Sequence, residues 1–291
     1  AFDIGVFTNL TQAHLDYHKS MQEYAAVKAS FFTELEPGAQ AVVNADDPWH
    51  QQMIAHTRAE IVTFGIDSPC DLRAEKIRLC ATGTQFDLVY QGMRVRMQSP
   101  LIGRFNVYNC LSAVAVGVCR GFPLEKIVKV LSRFSNVPGR LERVPNDKAL
   151  HIFVDYAHTD DALKNVLHAL REFTPGRVIA VFGCGGNRDP LKRPKMGAIV
   201  ESLADIAIIT SDNPRNEEPG EIIRQVLSGF RHPTEAWVSL DREEAIARAI
   251  QAATPQDTIL IAGQGHEAYQ IFSHQTIAFD DRLVAKRLCA V

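Results

Sequence analysis

Four clusters of polar residues in the second half of the chain each follow a short apolar segment of the kind that forms buried strands. They begin at Asp155, Gly183, Ser211 and Gly263, and they read DYAH, GCGGNRD, SDNPR and GQGHE. A single Asp or Gly after a strand is most often a turn or a helix cap. Four such clusters with Arg, His and Glu among them are difficult to explain as caps, and they favour a ligand-binding edge.

The pair Gly185-Gly186 in the second cluster predicts a turn with exposed backbone N–H groups. Such groups can bind an anion at the end of a following helix. The segment FGCGGNRD is not a dinucleotide fingerprint, because it lacks the third spaced glycine and no acidic partner follows the next strand at the expected place. The sequence therefore indicates a candidate anion cradle without dinucleotide specificity.

The first half has its own polar cluster, which follows a predicted strand and consists of Thr8, Asn9, His14, Asp16 and His18. His14 and His18 are four residues apart, so they can be two ligands of one metal, although two solvated histidines on a helix are the commoner case. Lys28 lies on the next predicted helix. Taken alone, a lysine at that place is a solvated surface residue.

Two amide side chains, Asn106 and Asn109, lie three residues apart in the segment GRFNVYN, on the predicted first turn of a helix. Asparagine can cap a helix at this place. An adenine edge also presents a donor beside an acceptor, which a pair of amides can match. The pair is therefore a candidate for binding adenine.

The elements that must position the second-half clusters alternate regularly from HIFVDYA at 151–157 to DTILIAG at 257–263. Apolar strands that alternate with amphipathic helices predict a parallel, doubly wound α/β sheet. Ligands bind beyond the carboxyl ends of the strands in such sheets, so the four clusters should line one edge.

The first half predicts a mixed sheet. We expect a strand at 1–9, a helix at 21–36, strands at 41–47 and 60–65, an antiparallel meander through TQFDLVY, and a helix from Asn106 to about Arg120. The segment SNVPGRLERVPND at 135–147 is rich in turn-forming and charged residues, which is typical of an interdomain joint.

Composition limits the class of protein. The chain has 291 residues, a formal charge of −3 and six widely spaced cysteines, which is ordinary for about two globular domains. The basic residues form no stripe, so nucleic acid and anionic membranes are not expected partners. Neither a membrane span nor a signal peptide is recognisable, and cytoplasm is the expected location.

The chain resembles the Mur ligase family over essentially its whole length. The motifs that carry the resemblance are, in order, TNLTQAHLDYH, EYAAVKA, NADD, GRFNVYN, PGRLE, DYAHTDDAL, FGCGGNRDPLKRPKMG, TSDNPRNEEP and GQGHEAYQ. The resemblance implies an ATP- and Mg²⁺-dependent ligase of peptidoglycan synthesis that forms an amide bond through an acyl phosphate. The implied substrates are UDP-N-acetylmuramoyl-L-alanyl-D-glutamate and meso-2,6-diaminopimelate, and the protein is expected to be monomeric.

The resemblance also implies a domain organisation. Residues 1–136 would be the C-terminal part of the family's central ATPase domain, with a mixed sheet, and residues 137–291 its dinucleotide-fold-like C-terminal domain. The sequence contains no Gly-Lys dipeptide, so the family's phosphate loop and all that precedes it are expected to be missing. A chain without that loop is expected to be inactive on its own.

For the nucleotide and the metal, the resemblance assigns roles to individual residues. His14 would bind Mg²⁺, and Lys28, as the family's carbamylated lysine, would bind a second metal ion; these two are the expected catalytic residues. Asn106 and Asn109 would flank the adenine, and Asp155 and His158 would close over the nucleotide. The joint at 138–143 would be the hinge of that closure.

The resemblance places a diaminopimelate pocket at the second-half clusters, formed by Arg188, Asp212, Asn213, Arg215, Gly263 and Glu267. Diaminopimelate carries a second ammonium–carboxylate centre that lysine lacks, so its pocket needs an acid and a group that grips a carboxylate. Arg215 would supply that grip, and lysine-adding relatives generally lack it.

Three residues depart from the family pattern, which usually has Asp in place of Ala13, Pro in place of Asp160 and Lys in place of Gln264. The change at Ala13 removes a carboxylate beside His14 that can orient its ring or a metal-bound water.

Three alternatives stay open. A dinucleotide-dependent oxidoreductase would show a complete glycine fingerprint, which the sequence lacks. A module that binds diaminopimelate and nucleotide without catalysis is the second. The third is a lysine-adding or folate-polyglutamate ligase; the latter is not expected to combine Asp-Asn-Pro-Arg with Gly-x-Gly-His-Glu.

Overall fold

The computed structural model describes residues 2–10, 20–134 and 137–290. The chain divides into two compact units, residues 1–135 and 136–291. Among the described residues, none of the helices combines the length and the apolar character needed to cross a membrane.

Within residues 2–10 and 20–134, the first unit consists of a six-stranded mixed sheet and four helices. Its elements are β1 Ile4–Phe7, α1 Met21–Thr33, β2 Gln40–Asn44, α2 His50–Ile54, β3 Glu60–Gly65, β4 Leu72–Cys80, β5 Gly83–Tyr90, β6 Met93–Ser99, α3 Arg104–Cys119 and α4 Leu124–Leu131. The strand order is β1-β2-β3-β4-β5-β6; β1 to β4 are parallel, and β4 to β6 form an antiparallel meander. The predicted mixed sheet is confirmed.

Two apolar clusters pack among the described residues of this unit. The buried face of α3, including Leu111 and Val114, packs against Phe64 and Phe86 of the sheet. Phe32 of α1 packs in a separate cluster with Phe7. Because α1 packs close to β1, the residues that follow β1 lie near the middle of this helix.

The second unit is built on a parallel sheet. Its elements are β7 Glu142–Arg143, β8 His151–Asp155, α5 Asp160–Arg171, β9 Val178–Phe182, α6 Lys192–Leu203, β10 Ile206–Ile209, α7 Pro219–Leu227, β11 Trp237–Val238, α8 Arg242–Ala252, β12 Thr258–Ala262, β13 Tyr269–Ile271, β14 Thr276–Ala278 and α9 Asp281–Cys289. The order is β11-β10-β9-β12-β8-β7, with β7 antiparallel to its neighbour.

The burial of the central strand β9 shows that helices cover both faces of this sheet. All five of its residues are buried. Ile179 and Val181 pack with α8 and α9, so the alternate residues face the other side, where α5 contacts the strand. The predicted α/β architecture with a doubly wound second part is therefore confirmed.

Several predicted boundaries were wrong. The first strand is limited to Ile4–Phe7, and the helix predicted at 21–36 ends at Thr33, before the Pro37-Gly38 turn. The segment TEAWVSL forms a short 3₁₀ turn and a strand of only two residues. Neither the β13–β14 hairpin nor α9 was predicted.

Candidate functional site

The four polar clusters of the second unit lie at one edge of its sheet. Strands β10, β9, β12 and β8 are adjacent and parallel, so their carboxyl ends point the same way. Asp155 ends β8, and Gly183, Thr210 and Gly263 directly follow the other three strands. The expectation that these clusters share one edge is confirmed.

Four of the residues predicted for the diaminopimelate pocket are connected by contacts between neighbours: Asn213 with Glu267, and Asp212 with Gly263. The Asn213 Nδ2 donates to Glu267 Oε2 over 2.8 Å. Gly263 has a φ of 115°, and a Cβ at this position would collide with the carboxylate of Asp212. Asp212 and Asn213 are buried, and Glu267 is partly exposed. The cluster therefore presents two carboxylates and an amide at the sheet edge.

The two predicted arginines both lie beside Gly185: a Cβ built on this glycine would be 3.0 Å from the Arg215 Nη1 and 3.8 Å from the Arg188 Cγ. The Arg215 Nη1 donates to the Gly186 carbonyl over 2.7 Å. Its Nε and Nη2 have no hydrogen-bond partner among the described residues, and so are available to a carboxylate ligand.

Arg215 belongs to the segment Ser211–Glu217, which we call the 211–217 loop. Its backbone φ is 52°, a left-handed conformation that residues other than glycine seldom adopt. Two hydrogen bonds connect the loop to the β13–β14 hairpin. The Arg215 N–H donates to the Ile271 carbonyl, and the Ile271 N–H donates to Asn213 Oδ1. Such strain persists only where the surroundings fix the backbone.

The predicted anion cradle at Gly185-Gly186 is already filled by the protein. The Gly186 N–H donates to the Asn213 carbonyl over 2.8 Å, and the Asn187 N–H donates to the Glu217 carboxylate. Helix α6 begins only at Lys192, so its N-terminus is not at the turn. The prediction of an open anion site here was wrong, because Glu217 is the anion that this turn receives.

Asp155 and His158 occupy the turn after β8. Asp155 is 4% exposed, and its two carboxylate oxygens accept from the Leu141 N–H over 2.6 Å and the Ala157 N–H over 2.8 Å. Burial raises the pKa of Asp155, although these hydrogen bonds oppose the rise. His158 is exposed, and its Nδ1 lies 2.8 Å from the Tyr156 carbonyl. Their role toward a nucleotide stays a prediction.

In the first unit, Asn106 and Asn109 are brought together: Asn109 Nδ2 donates to Asn106 Oδ1 over 3.0 Å. Asn106 does not cap the helix, as α3 begins at Arg104 behind Gly103, and its Nδ2 donates instead to the Ile102 carbonyl. Asn109 is exposed, and its Oδ1 has no partner within the described ranges. The exposed amide of Asn109 can thus contact a ligand, while Asn106 fixes the orientation of the Asn109 side chain.

Asp46 of the NADD motif fastens α3 to the end of β3. Its carboxylate accepts from the N–H groups of Ile66, Asp67 and Ser68 and from the Tyr108 hydroxyl over 2.9 Å. Burial raises the pKa of Asp46, but the hydrogen bonds outweigh it and lower the value from 3.8 to about 2. The carboxylate therefore stabilises the fold that carries Asn106 and Asn109.

Asp46→Asn is expected to lower the unfolding free energy by about 2 kcal/mol, since it removes charge-assisted hydrogen bonds. A folded-state pKa below the unfolded value gives stability that is complete above pH 3.8 and lost as the pH falls through about 2. Urea unfolding of wild type and variant at several pH values measures this. Asp147→Asn, at an exposed position, is the control; a difference that persists unchanged at pH 2 would contradict the assignment.

Lys28 lies on the exposed side of α1, in the wall of a cavity of about 290 Å³ that also includes Thr8 and Asn9. Its Nζ lies 5.5 Å from the centre of the Tyr24 ring. His14 and Ala13 fall within residues 11–19, outside the described residues. Within residues 2–10, 20–134 and 137–290, no group of three or more His, Cys, Asp or Glu side chains is placed to hold a metal ion.

Two departures from the family pattern can be placed in the structure. Asp160 is the first residue of α5, a position that suits both proline and an acidic side chain near the positive end of the helix dipole. Gln264 is fully buried, and neither its Nε2 nor its Oε1 finds a hydrogen-bond partner in the described part of the chain. The uncharged amide that replaces the family's usual lysine is therefore buried without a hydrogen bond to any described residue.

Sequence reasoning missed residues that shape this edge. The Tyr156 hydroxyl lies 3.5 Å from Glu267 Oε1, and its ring packs against His158, His266 and Arg140. Tyr156 was visible inside the DYAH cluster. The buried Arg193 and Arg242 contact the 211–217 loop, but in the sequence they look like ordinary charged residues at helix starts.

Comparison with known proteins agrees with this arrangement. The model of the Mur ligase middle domain matches residues 1–117, and the model of the Mur ligase glutamate ligase domain matches residues 139–265. A curated relative from Halalkalibacterium halodurans, UDP-N-acetylmuramoyl-L-alanyl-D-glutamate–2,6-diaminopimelate ligase, is 45% identical over 289 residues, which are 98% of this chain and 59% of the relative. The chain thus spans less than two thirds of the relative's length.

Two of the solved structures that match cover 90% or more of the chain. A UDP-N-acetylmuramoyl-L-alanyl-D-glutamate–2,6-diaminopimelate ligase matches with a TM-score of 0.69 and 34% identity, over 99% of this chain and 60% of its own. Folylpolyglutamate synthase from Mycobacterium tuberculosis matches with a TM-score of 0.72 and 21% identity, over 90% and 61%. At that identity the second likeness concerns the fold alone.

Proposed function

Because the chain belongs to the Mur ligase family, we propose that it forms part of an ATP-dependent ligase that joins meso-2,6-diaminopimelate to UDP-N-acetylmuramoyl-L-alanyl-D-glutamate in peptidoglycan synthesis. Residues 1–136 would contribute to its ATPase domain, and residues 137–291 would bind the amino acid. The names of the similar proteins support this reaction.

The observation that carries the choice of amino acid is the grouping of Arg215 with Asp212, Asn213 and Glu267 at one sheet edge. Arg215 has two guanidinium nitrogens available to a carboxylate, and Arg188 lies beside the same glycine. Asp212 and Glu267 supply anions for an ammonium group. Diaminopimelate needs both at the end of its side chain, whereas lysine needs only the anion.

For the nucleotide, we propose that Asn109 contacts the adenine. Asn106 would orient the Asn109 side chain through the hydrogen bond between the two amides. His158, exposed after β8, is the candidate of the second unit for the nucleotide, and Asp155 holds its turn. ATP would phosphorylate the substrate carboxylate, and the amine of diaminopimelate would then displace phosphate from the acyl phosphate.

The surroundings of Lys28 fit a magnesium ion that is held mainly by ATP. Mg²⁺ prefers oxygen ligands and often takes only one or two from the protein, with phosphates and water completing its shell. Thr8 and Asn9 bring oxygen atoms to the cavity of Lys28. We propose that His14 helps to hold this ion and that Lys28, as a carbamate, holds a second one; both ions would offset negative charge on the phosphoryl group.

The proposal is tested with the complete product of the gene that carries this chain. We expect ATP-dependent coupling of diaminopimelate to the UDP-linked dipeptide, with kcat/KM for diaminopimelate about 100-fold or more above that for lysine, as charged groups left unpaired in the pocket cost about 3 kcal/mol. Mass spectrometry and phosphate release follow the reaction. A preference for lysine, or addition of glutamate to a folate, would contradict it, and diaminopimelate binding without turnover would indicate a binding module.

A further inference from the structure

Two arginines of the second unit are buried at the N-terminal ends of helices. Arg193 is the second residue of α6, Arg242 is the first residue of α8, and each is 1% exposed. A cation is unfavourable near the positive end of a helix dipole, and burial adds a desolvation cost. These two positions therefore need an explanation other than helix formation.

Arg242 hydrogen-bonds the start of the 211–217 loop, the end of β12 and the buried carboxylate of Asp281. Its Nε and Nη2 donate to Asp281 Oδ1 and Oδ2, each over 2.7 Å, and both side chains are fully buried. Its Nη1 donates to the Ser211 carbonyl over 3.2 Å, and its Nη2 donates to the Ala262 carbonyl over 3.0 Å. Ser211 begins the 211–217 loop, and Ala262 directly precedes Gly263.

Arg193 makes corresponding contacts at the other end of the loop. Its Nη1 and Nη2 donate to Glu217 Oε2 and Oε1 over 2.7 and 2.9 Å, and its Nη2 also donates to the Gly185 carbonyl over 3.1 Å. Its buried Nε has no partner among the described residues. A side chain with an unpaired buried N–H is not optimised for stability alone.

We propose that Arg193 and Arg242 are positioning residues that hold the two ends of the 211–217 loop in its ligand-binding conformation. A buried ion pair can often be replaced by apolar residues without loss of stability. Apolar residues cannot bind the Ser211 carbonyl and the Glu217 carboxylate of the loop, nor connect them to the Ala262 and Gly185 carbonyls outside it. The left-handed backbone of Arg215 between the two ends needs such external support.

The test uses amide hydrogen exchange in the 291-residue chain. It compares local opening of the 211–217 loop with global unfolding of the second unit. The reporters are the N–H groups of Arg215 and Gly186, which donate to Ile271 and Asn213, and the reference is Val181 in the central strand. In Arg193→Met and Arg242→Met, we expect the reporters to exchange at least tenfold faster relative to Val181 than in wild type. Arg224→Met, which removes an exposed arginine paired with Glu221, is the control and should leave the ratio unchanged.

If either methionine variant does not fold, Glu217→Gln and Asp281→Asn provide the same comparison, because they keep the side-chain size and remove only the charge of the partner. An unchanged ratio in the folded variants would overturn the proposal, since the arginines would then stabilise the unit as a whole. A ratio that changes equally in Arg224→Met would overturn it too.

A second measurement rests on the proposed function. Calorimetric titration with diaminopimelate, at a temperature where each variant is folded, should show affinity at least tenfold weaker for Arg193→Met and Arg242→Met than for wild type and Arg224→Met. Unchanged affinity despite a looser loop would overturn the positioning role. If wild type does not bind diaminopimelate while the exchange ratio changes, the loop assignment stands and the proposed substrate is wrong.

Discussion

Lys28→Ala is expected to reduce the ligase activity of the complete gene product by roughly 10³-fold or more, because the change would remove the proposed anionic metal ligand, worth several kcal/mol of transition-state stabilisation. Short-chain carboxylates such as acetate should partly restore the activity, since they can occupy the place of the carbamate in the cavity beside Thr8 and Asn9. An alanine at this exposed helix position should not affect folding.

Lys129→Ala is the matched control, a lysine in the last turn of another helix of the same unit. A readout that does not depend on activity is the ¹³C resonance of a carbamate after incubation of the chain with ¹³C-bicarbonate, which should be present in wild type and in Lys129→Ala and absent in Lys28→Ala. Wild-type activity of Lys28→Ala, or the same carbamate signal in both variants, would remove Lys28 from the candidate site.

Arg215→Ala is expected to weaken the use of diaminopimelate by about 2–5 kcal/mol, or roughly 30- to several thousand-fold in kcat/KM, because one partner of a charged hydrogen-bonded pair is removed. The use of lysine should change little. Alanine keeps the Cβ and hence the backbone preference at φ 52°, so the comparison tests the guanidinium rather than the turn. The measurement is kcat/KM for both amino acids in the complete gene product.

The structure argues against the simplest alternative, in which Arg215 is an exposed residue paired with Glu217. Glu217 is engaged by Arg193, and Arg215 is only partly exposed and donates to Gly186 instead. Arg224→Ala, at an exposed ion pair on α7, serves as the control for loss of one positive charge. An equal change for diaminopimelate and lysine would rule out a specificity role for Arg215.

The parts that the sequence predicted correctly are those that depend on local pattern. Apolar strands followed by polar residues were enough to bring Asp155, Gly183, Ser211 and Gly263 to one edge, because parallel strands with intervening helices allow few arrangements. The antiparallel meander was also predicted correctly, since alternating residues between turns mark such strands.

The parts that failed depend on partners distant in the sequence. The Gly185-Gly186 turn looked like an open anion cradle, but the Asn213 carbonyl accepts from the Gly186 N–H, and Glu217, thirty residues from Asn187, accepts from the Asn187 N–H. Asn106 looked like a helix cap, but the chain turns at Gly103 and α3 starts earlier. Arg242 was not predicted to have a role, because nothing near it in the sequence indicates that it pairs with Asp281 in the core.

The supports of the 211–217 loop also determine when the proposed amino-acid pocket can form during protein synthesis. The last strand of the parallel sheet ends at Ala262, so a nascent chain exposes all of these strands before the hairpin residues Gln270 and Ile271 and the acid Asp281 have emerged from the ribosome. Gln270 and Ile271 hydrogen-bond Asp212 and Asn213, and Asp281 anchors Arg242. The proposed pocket is therefore completed after the sheet, and an intermediate with a finished sheet still lacks the supports that order the 211–217 loop.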